Sequence, residues 1–172
     1  MTLKENYGTI HFIITGGTVD SYFNPATDKV EIGGKTYVPE YIEKLKLYNK
    51  SEFTVLFMKD SRDITHKDRK LIFETIKKSK HKMIIITHGT YTMPDTAQYI
   101  KEQLGKNEKT IILTGSMIPI KGFEVSDASF NLGYGIANVQ KLPSGVYICM
   151  NGKVFDPEKV DKNRLEARFE EI

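Results

Sequence analysis

The sequence predicts a three-layer α/β domain of Rossmann-like type, a mostly parallel sheet with helices on both faces. Three observations carry this expectation. Five short β-type runs recur along the 172 residues. Four of them are apolar with little alternation, as strands buried on both faces are. The stretches between them place apolar residues at helical spacing, so the order reads β-α-β-α-β-α-β-α-β.

The first run is Thr9–Thr15 (TIHFIIT). Residues 18–37 then form a long polar insertion with Pro25, Gly33, Gly34 and the aromatics Tyr22, Phe23 and Tyr37. A long loop directly after the first strand of an α/β sheet is more often functional than accidental. A helix is expected over Pro39–Tyr48, with proline suited to its first turn. The second strand, Phe53–Lys59, leads to a helix over Thr65–Lys80. That helix carries Leu71, Ile72, Thr75 and Ile76 on one face, with Thr65 and Asp68 at the N-cap and in the first turn. Lys82–Thr87 is the third strand, and Pro94–Leu104 repeats the helical pattern with Ala97, Ile100 and Leu104. Thr110–Thr114 is the fourth strand. Ser126–Gln140 carries Phe130, Leu132, Ile136 and Val139, although Gly133 and Gly135 lower its helical propensity. Gly145–Met150 is the fifth strand. Residues 151–172 are charged and are expected to end in a helix, KNRLEARFEEI.

The length suits one domain and leaves no room for two full-sized ones. Twenty-five basic and 22 acidic side chains give a net charge of +3. The lysines are scattered, so neither nucleic acid nor an anionic membrane is an expected partner. The apolar runs, such as Met83–Ile86, are too short for a transmembrane helix. The N-terminal MTLKENYGTI lacks the apolar centre of a secretory signal. The single cysteine, Cys149, cannot form an internal disulfide, and the expected location is the cytoplasm.

In an open parallel sheet, ligands bind beyond the carboxyl ends of the strands. Those ends read Thr15-Gly16-Gly17-Thr18, Lys59-Asp60-Ser61-Arg62-Asp63, Thr87-His88-Gly89-Thr90-Tyr91-Thr92 and Thr114-Gly115-Ser116-Met117. Hydroxyls and glycines dominate this rim, offering nucleophiles and approachable backbone N–H groups. Each feature also has a plainer reading. TGGT could be a tight turn or a phosphate cradle, but it is not GxGxxG, and no GxxxxGK[ST] occurs. His88 could be a base or a structural residue. No His, Cys or carboxylate partner lies at metal spacing, so no metal is expected. GxSxG is absent, and Cys149 falls in an expected buried strand. On composition alone Lys162 is one more lysine in a charged tail.

Taken together, the rim motifs resemble the bacterial-type L-asparaginase family, which hydrolyses side-chain amides with a threonine nucleophile. Thr15-Gly16-Gly17-Thr18-Val19 is similar to the family's TGGTI, and Thr87-His88-Gly89-Thr90-Tyr91-Thr92-Met93 to its THGTDTM. Thr114-Gly115-Ser116-Met117-Ile118-Pro119 resembles its TGAMRP-type segment, and Ser126-Asp127 with Phe130-Asn131-Leu132 its SDGPFNL stretch. The four follow in the family's order from about residue 8. Thr18-Val19-Asp20-Ser21-Tyr22-Phe23, Lys59-Asp60-Ser61-Arg62-Asp63-Ile64-Thr65 and Lys162-Asn163-Arg164-Leu165-Glu166-Ala167-Arg168-Phe169-Glu170 resemble a short branch that has the N-terminal domain alone. The resemblance implies one domain over 1–172 of the asparaginase N-terminal type, an active-site loop over 18–37, and a natural end at Ile172.

The resemblance further implies the roles of individual residues. Thr18 would attack the amide and form an acyl-enzyme. Thr90 would belong to a second catalytic group, deprotonated with the help of Lys162. Tyr22 or Tyr37 would stand in for the loop tyrosine that activates the nucleophile, Tyr22 being taken as catalytic. Ser61 would hold the substrate α-carboxylate, and Gly17, Arg62, Asp63, Gly89, Tyr91 and Ser116 complete the expected substrate-binding set. Neither metal nor organic cofactor is implied, and a homodimer or larger homo-oligomer is. At one position the sequence departs from the family: Tyr91 stands where the family has aspartate. Losing that charge would cost about 1.5–3 kcal/mol of charge-assisted hydrogen bonding. The expected function is ammonia release from asparagine or a related small amide, impaired by Tyr91. The alternative is a catalytically weak relative that binds a small amino acid or dicarboxylate.

Overall fold

A computed structural model describes residues 7–172, so Met1–Asn6 of the N-terminal segment read above lie outside the described residues. The strands are β1 (Thr9–Gly16), β2 (Ser21–Asn24), β3 (Lys29–Ile32), β4 (Lys50–Lys59), β5 (Met83–Thr87), β6 (Thr110–Thr114), β7 (Gly145–Met150), β8 (Lys153–Phe155), β9 (Val160–Asn163) and β10 (Arg168–Glu171). The helices are α1 (Val38–Lys44), α2 (His66–Lys78), α3 (Met93–Leu104) and α4 (Ala128–Val139).

Six strands form one sheet in the order β4-β1-β5-β6-β7-β8, parallel except for the antiparallel edge strand β8. Successive side chains of a strand point to opposite faces, and both faces of this sheet are covered. Ile10, Phe12 and Ile14 of β1 meet Val38 and Ile42 of α1, in a layer that includes Ala128, Ile136 and Val139 of α4. Ile13, together with Ile84 and Ile86 of β5, meets Ile72 and Ile76 of α2 and Met93, Ala97 and Ile100 of α3. Burial on both faces explains the unbroken apolar runs. Edge strand β4 is more exposed, with Val55 half in solvent.

The chain leaves β1 for the edge strand β4, then crosses back over β1 to β5. The connections after β1 and β5 therefore diverge to opposite faces, and a crevice opens between these strand ends. The crossovers through α1, α2 and α3 share one hand. The β6–α4–β7 crossover has the opposite hand, because α4 lies on the α1 face while the sheet order advances as it does through α3. Parallel crossovers nearly always share one hand. The departure is held by the long connection after β6. Asp127 accepts backbone N–H bonds from Met117 at 3.0 Å and Ile118 at 2.9 Å, and Asn131 Nδ2 donates to Asp127 Oδ2 at 2.9 Å and to the Gly115 carbonyl at 3.0 Å.

Three sequence expectations are corrected. The tail KNRLEARFEEI is the hairpin β9–β10, not a helix. Its leucine, glutamate, alanine and arginine favour helix locally, but Asn163 Oδ1 accepts from the N–H groups of Leu165 and Glu166 and turns the chain. Alternation then buries Phe169, 3% exposed, in the core beside Phe155. Residues 18–37 are not simply a loop. A 3-10 turn over Thr18–Asp20 precedes the antiparallel pair β2–β3, which is tied by Asn24 and Thr27 donating to Glu31. The first helix ends at Lys44 rather than Tyr48, and Lys46 follows with φ at 52°. α2 starts as expected, on a capping box between Thr65 and Asp68.

Candidate active site

The crevice between the ends of β1 and β5 holds a cavity of about 190 Å³. Gly17, Thr18, Ser21, Val30, Ile32, Asp60, Ser61, Arg62, Gly89, Thr90 and Tyr91 line it. The strand ends of β1, β4 and β5 supply most of the wall, and β3 adds Val30 and Ile32.

Close backbone approach sets the shape of this rim. Gly17 has φ at 86°, and a Cβ there would lie 2.4 Å from the Gly89 backbone nitrogen. A Cβ on Gly89 would in turn lie 2.8 Å from Cβ of Ser61. The three strand ends are thus in mutual contact, and larger residues would force them apart. Ser61 Oγ accepts from the Tyr91 backbone N–H at 3.2 Å, and Thr92 Oγ1 donates to the Ser61 carbonyl at 2.6 Å. These bonds fix the turn after β4 to the turn after β5.

The tail hairpin brings Lys162 beside Thr90 and Tyr91 of the cavity wall. Its Nζ donates to Thr90 Oγ1 at 2.7 Å, although 72 residues separate the two. Burial holds the Lys162 ammonium below the ordinary lysine range. Arg164 and then Arg62 push it the same way, and Asp60 opposes them. The Tyr91 ring stands half-exposed among the same cations. Lys162 Nζ lies 4.2 Å from its centroid, Arg62 Cζ 4.9 Å and Arg164 Cζ 5.3 Å. Asp60 is held by Arg62, whose Nε and Nη2 donate to Oδ1 at 2.9 Å and Oδ2 at 2.7 Å. That contact holds the Asp60 carboxyl below its usual range.

Beneath the rim, His88 is wholly buried. Its Nδ1 donates to the Gly89 carbonyl at 2.8 Å, and Nε2 has no partner among the described residues. Burial pushes its pKa down to about 4. Neutral and enclosed, His88 supports the Gly89 turn from below. Among the described residues no group of His, Cys, Asp and Glu side chains is disposed to hold a metal ion, and no helix is long and apolar enough to cross a membrane.

Comparison with known proteins matches residues 9–169 to the family model for the asparaginase N-terminal domain. The chain belongs to the asparaginase family. L-asparaginase 2 of Bacillus subtilis (strain 168) is 23% identical over 175 aligned residues, covering 92% of this chain and 45% of that protein. The solved thermostable L-asparaginase from Thermococcus kodakarensis superposes with a TM-score of 0.81 at 25% identity, over 95% of this chain and 51% of that one. L-asparaginase I from Vibrio cholerae gives a TM-score of 0.76 at 25% identity, with the same coverage. This asparaginase-family chain therefore spans about half the length of the relatives it matches.

The expected site residues fall into two groups. Gly17, Thr18, Ser61, Arg62, Gly89, Thr90 and Tyr91 share the cavity, and Lys162 joins them through Thr90. Tyr22, Asp63 and Ser116 are not in its wall. Tyr22 lies on β2 and its hydroxyl donates to Glu31 at 3.4 Å. Tyr37 precedes α1, with Lys121 Nζ 4.1 Å from its ring centroid. Asp63 is exposed at the end of the turn after β4, and the Ser116 hydroxyl is buried without a partner among the described residues. Five contributors lay outside the expected set: Ser21, Asp60, Val30, Ile32 and Arg164. Of these, Asp60 had a signal, since it stands beside Ser61 in the strand end Lys59-Asp60-Ser61-Arg62-Asp63.

Proposed function

We propose that this protein hydrolyses asparagine or a related small side-chain amide and releases ammonia. The observation that carries the reading is the contact between Lys162 Nζ and Thr90 Oγ1 beside the cavity that holds Thr18. A threonine hydroxyl is a weak nucleophile until a base removes its proton, and a lysine with a depressed pKa is suited to that task.

In this reading Thr18 Oγ attacks the amide carbon. The carbon–nitrogen bond breaks, ammonia leaves with a transferred proton, and a threonyl ester remains. Water activated at the Thr90–Lys162 pair then cleaves the ester and restores Thr18. Backbone N–H groups of the Gly17 and Gly89 turns meet the developing oxyanion. Ser61 receives the substrate carboxylate. Tyr22 is assigned to the proton relay at Thr18, a role that requires its hydroxyl to leave Glu31. Residues 1–172 act as one domain, with 18–37 as its active-site segment, in the cytoplasm. A homo-oligomer is the proposed assembly, and elution as a monomer in size-exclusion chromatography would count against it.

The test is ammonia release from asparagine, glutamine and simpler amides, with Thr18→Ala as the control. Turnover that disappears in Thr18→Ala supports the reading; turnover that survives it, or none with any amide, removes it. The cations around Tyr91 favour a second reading, a binding protein for a small dicarboxylate. Thermal stabilisation by such a ligand without turnover would establish that reading instead.

A further inference from the structure

The charges around the cavity are unbalanced. Three cations, Lys162, Arg62 and Arg164, converge on the Tyr91 ring within 5.3 Å of its centroid. The one carboxylate in the cavity wall is Asp60. Both of its oxygens are engaged by the Arg62 guanidinium, and the Arg62 backbone N–H adds a third bond to Oδ1 at 2.8 Å. Asp60 therefore neutralises Arg62. Among the described residues no carboxylate makes an ion pair with Lys162 or Arg164.

A substrate carboxylate and a substrate ammonium meet opposite receptions here. A carboxylate finds the Ser61 hydroxyl in the wall and, beside Thr90 and Tyr91, two cations that form no ion pair among the described residues. An ammonium finds those same cations and no free carboxylate. The π face of Tyr91 could in principle accept a cation, but Lys162 already lies over it at 4.2 Å. Partial enclosure raises the effect of each charge above its value in open water.

We propose that the cavity selects amides of short dicarboxylic acids that carry no ammonium beside the carboxylate. The inference rests on the hydrolytic reading above and narrows its substrate class. Succinamate, which is asparagine without its α-ammonium, is the simplest such molecule. Its hydrolysis breaks one amide carbon–nitrogen bond, consumes one water and yields succinate and ammonia, with no other reactant. Reactions that make monoamides of dicarboxylic acids, or that consume the free diacid, would be its neighbours.

The test uses the full chain and two matched pairs. Calorimetry at neutral pH compares succinate with L-aspartate, and ammonia release compares succinamate with L-asparagine. Succinate should bind at least about tenfold more tightly than L-aspartate, the factor that about 1.4 kcal/mol of unfavourable charge contact produces. The same preference should appear in kcat/KM for the two amides. Tyr91→Asp should reverse the order in binding, and Arg164→Gln should reduce the preference while leaving its direction. L-aspartate binding as tightly as succinate, or no binding of either, overturns the inference. Equal kcat/KM for the two amides overturns it while sparing the hydrolytic reading. Succinate preference with no ammonia from either amide sustains the selectivity and removes the hydrolytic reading.

Discussion

Asn151 holds the backbone of Phe169: its Oδ1 accepts the Phe169 N–H at 3.0 Å across 18 residues. Asn131 Oδ1 accepts from the Asn151 N–H at 3.1 Å, so one chain of amides links α4, the turn after β7 and the tail hairpin. The strand opposite Phe169 carries Lys162, and the two residues are directly paired. The position of the lysine therefore depends on a core contact on the strand beside it.

Phe169→Ala should expose that dependence. Removing a buried phenylalanine side chain costs about 3–5 kcal/mol. Urea denaturation should show a loss of that order, and kcat measured where the variant remains folded should fall at least about tenfold. Unchanged kcat in the folded variant would separate the hairpin from catalysis.

Thr90 and Lys162 should behave as one unit. Thr90→Val and Lys162→Met should each lower kcat by about 10²–10⁴, the usual contribution of a positioned base. The double variant should be hardly worse than either single one, since groups that act together are not additive. Losses that multiply would show independent roles.

The pH dependence of kcat should report Lys162. As a base it works only when neutral, so activity rises with pH along a limb set by its pKa, which lies below the ordinary lysine value. Arg164 lowers that pKa and Asp60 raises it. Arg164→Gln should move the limb to higher pH and Asp60→Asn to lower pH. A limb that ignores both substitutions belongs to another group.

His88 should make stability fall on the acid side. Burial pushes its pKa to about 4 in the folded chain against the ordinary histidine value of 6.5. Between those values the unfolded chain binds a proton that the folded chain refuses, so stability drops as pH falls from about 6.5 to about 4. The drop amounts to about 2–3 kcal/mol. Urea titrations at several pH values should show a steeper acid loss for wild type than for His88→Gln; parallel curves would mean that His88 is solvated in the folded chain.

The strands β1, β5, β6 and β7 were legible because a residue buried on either face must be apolar, which leaves an unbroken run in the sequence. The rim was legible for a related reason: glycine and hydroxyl residues cluster at strand ends where backbones touch. The tail hairpin was not legible, since Leu165, Glu166 and Ala167 favour helix and the deciding contact is the distant burial of Phe169. Arg164 was missed for the same cause, because only the hairpin turns it toward Tyr91. Asp20 stands in the sequence only as one residue of the Thr18–Phe23 motif. Its complete burial, with Oδ1 accepting from Thr36 Oγ1 and the Tyr37 N–H, comes from the chain folding back after β3.

The order of the elements has a consequence during synthesis. Thr18 is translated well before Lys162, and the parallel strands can assemble once β7 has emerged. Lys162 follows only afterwards, so a nascent chain has the groove and its alcohol but no amine beside Thr90. The contact between Lys162 and Thr90 is thus made only after the parallel strands beside it have emerged.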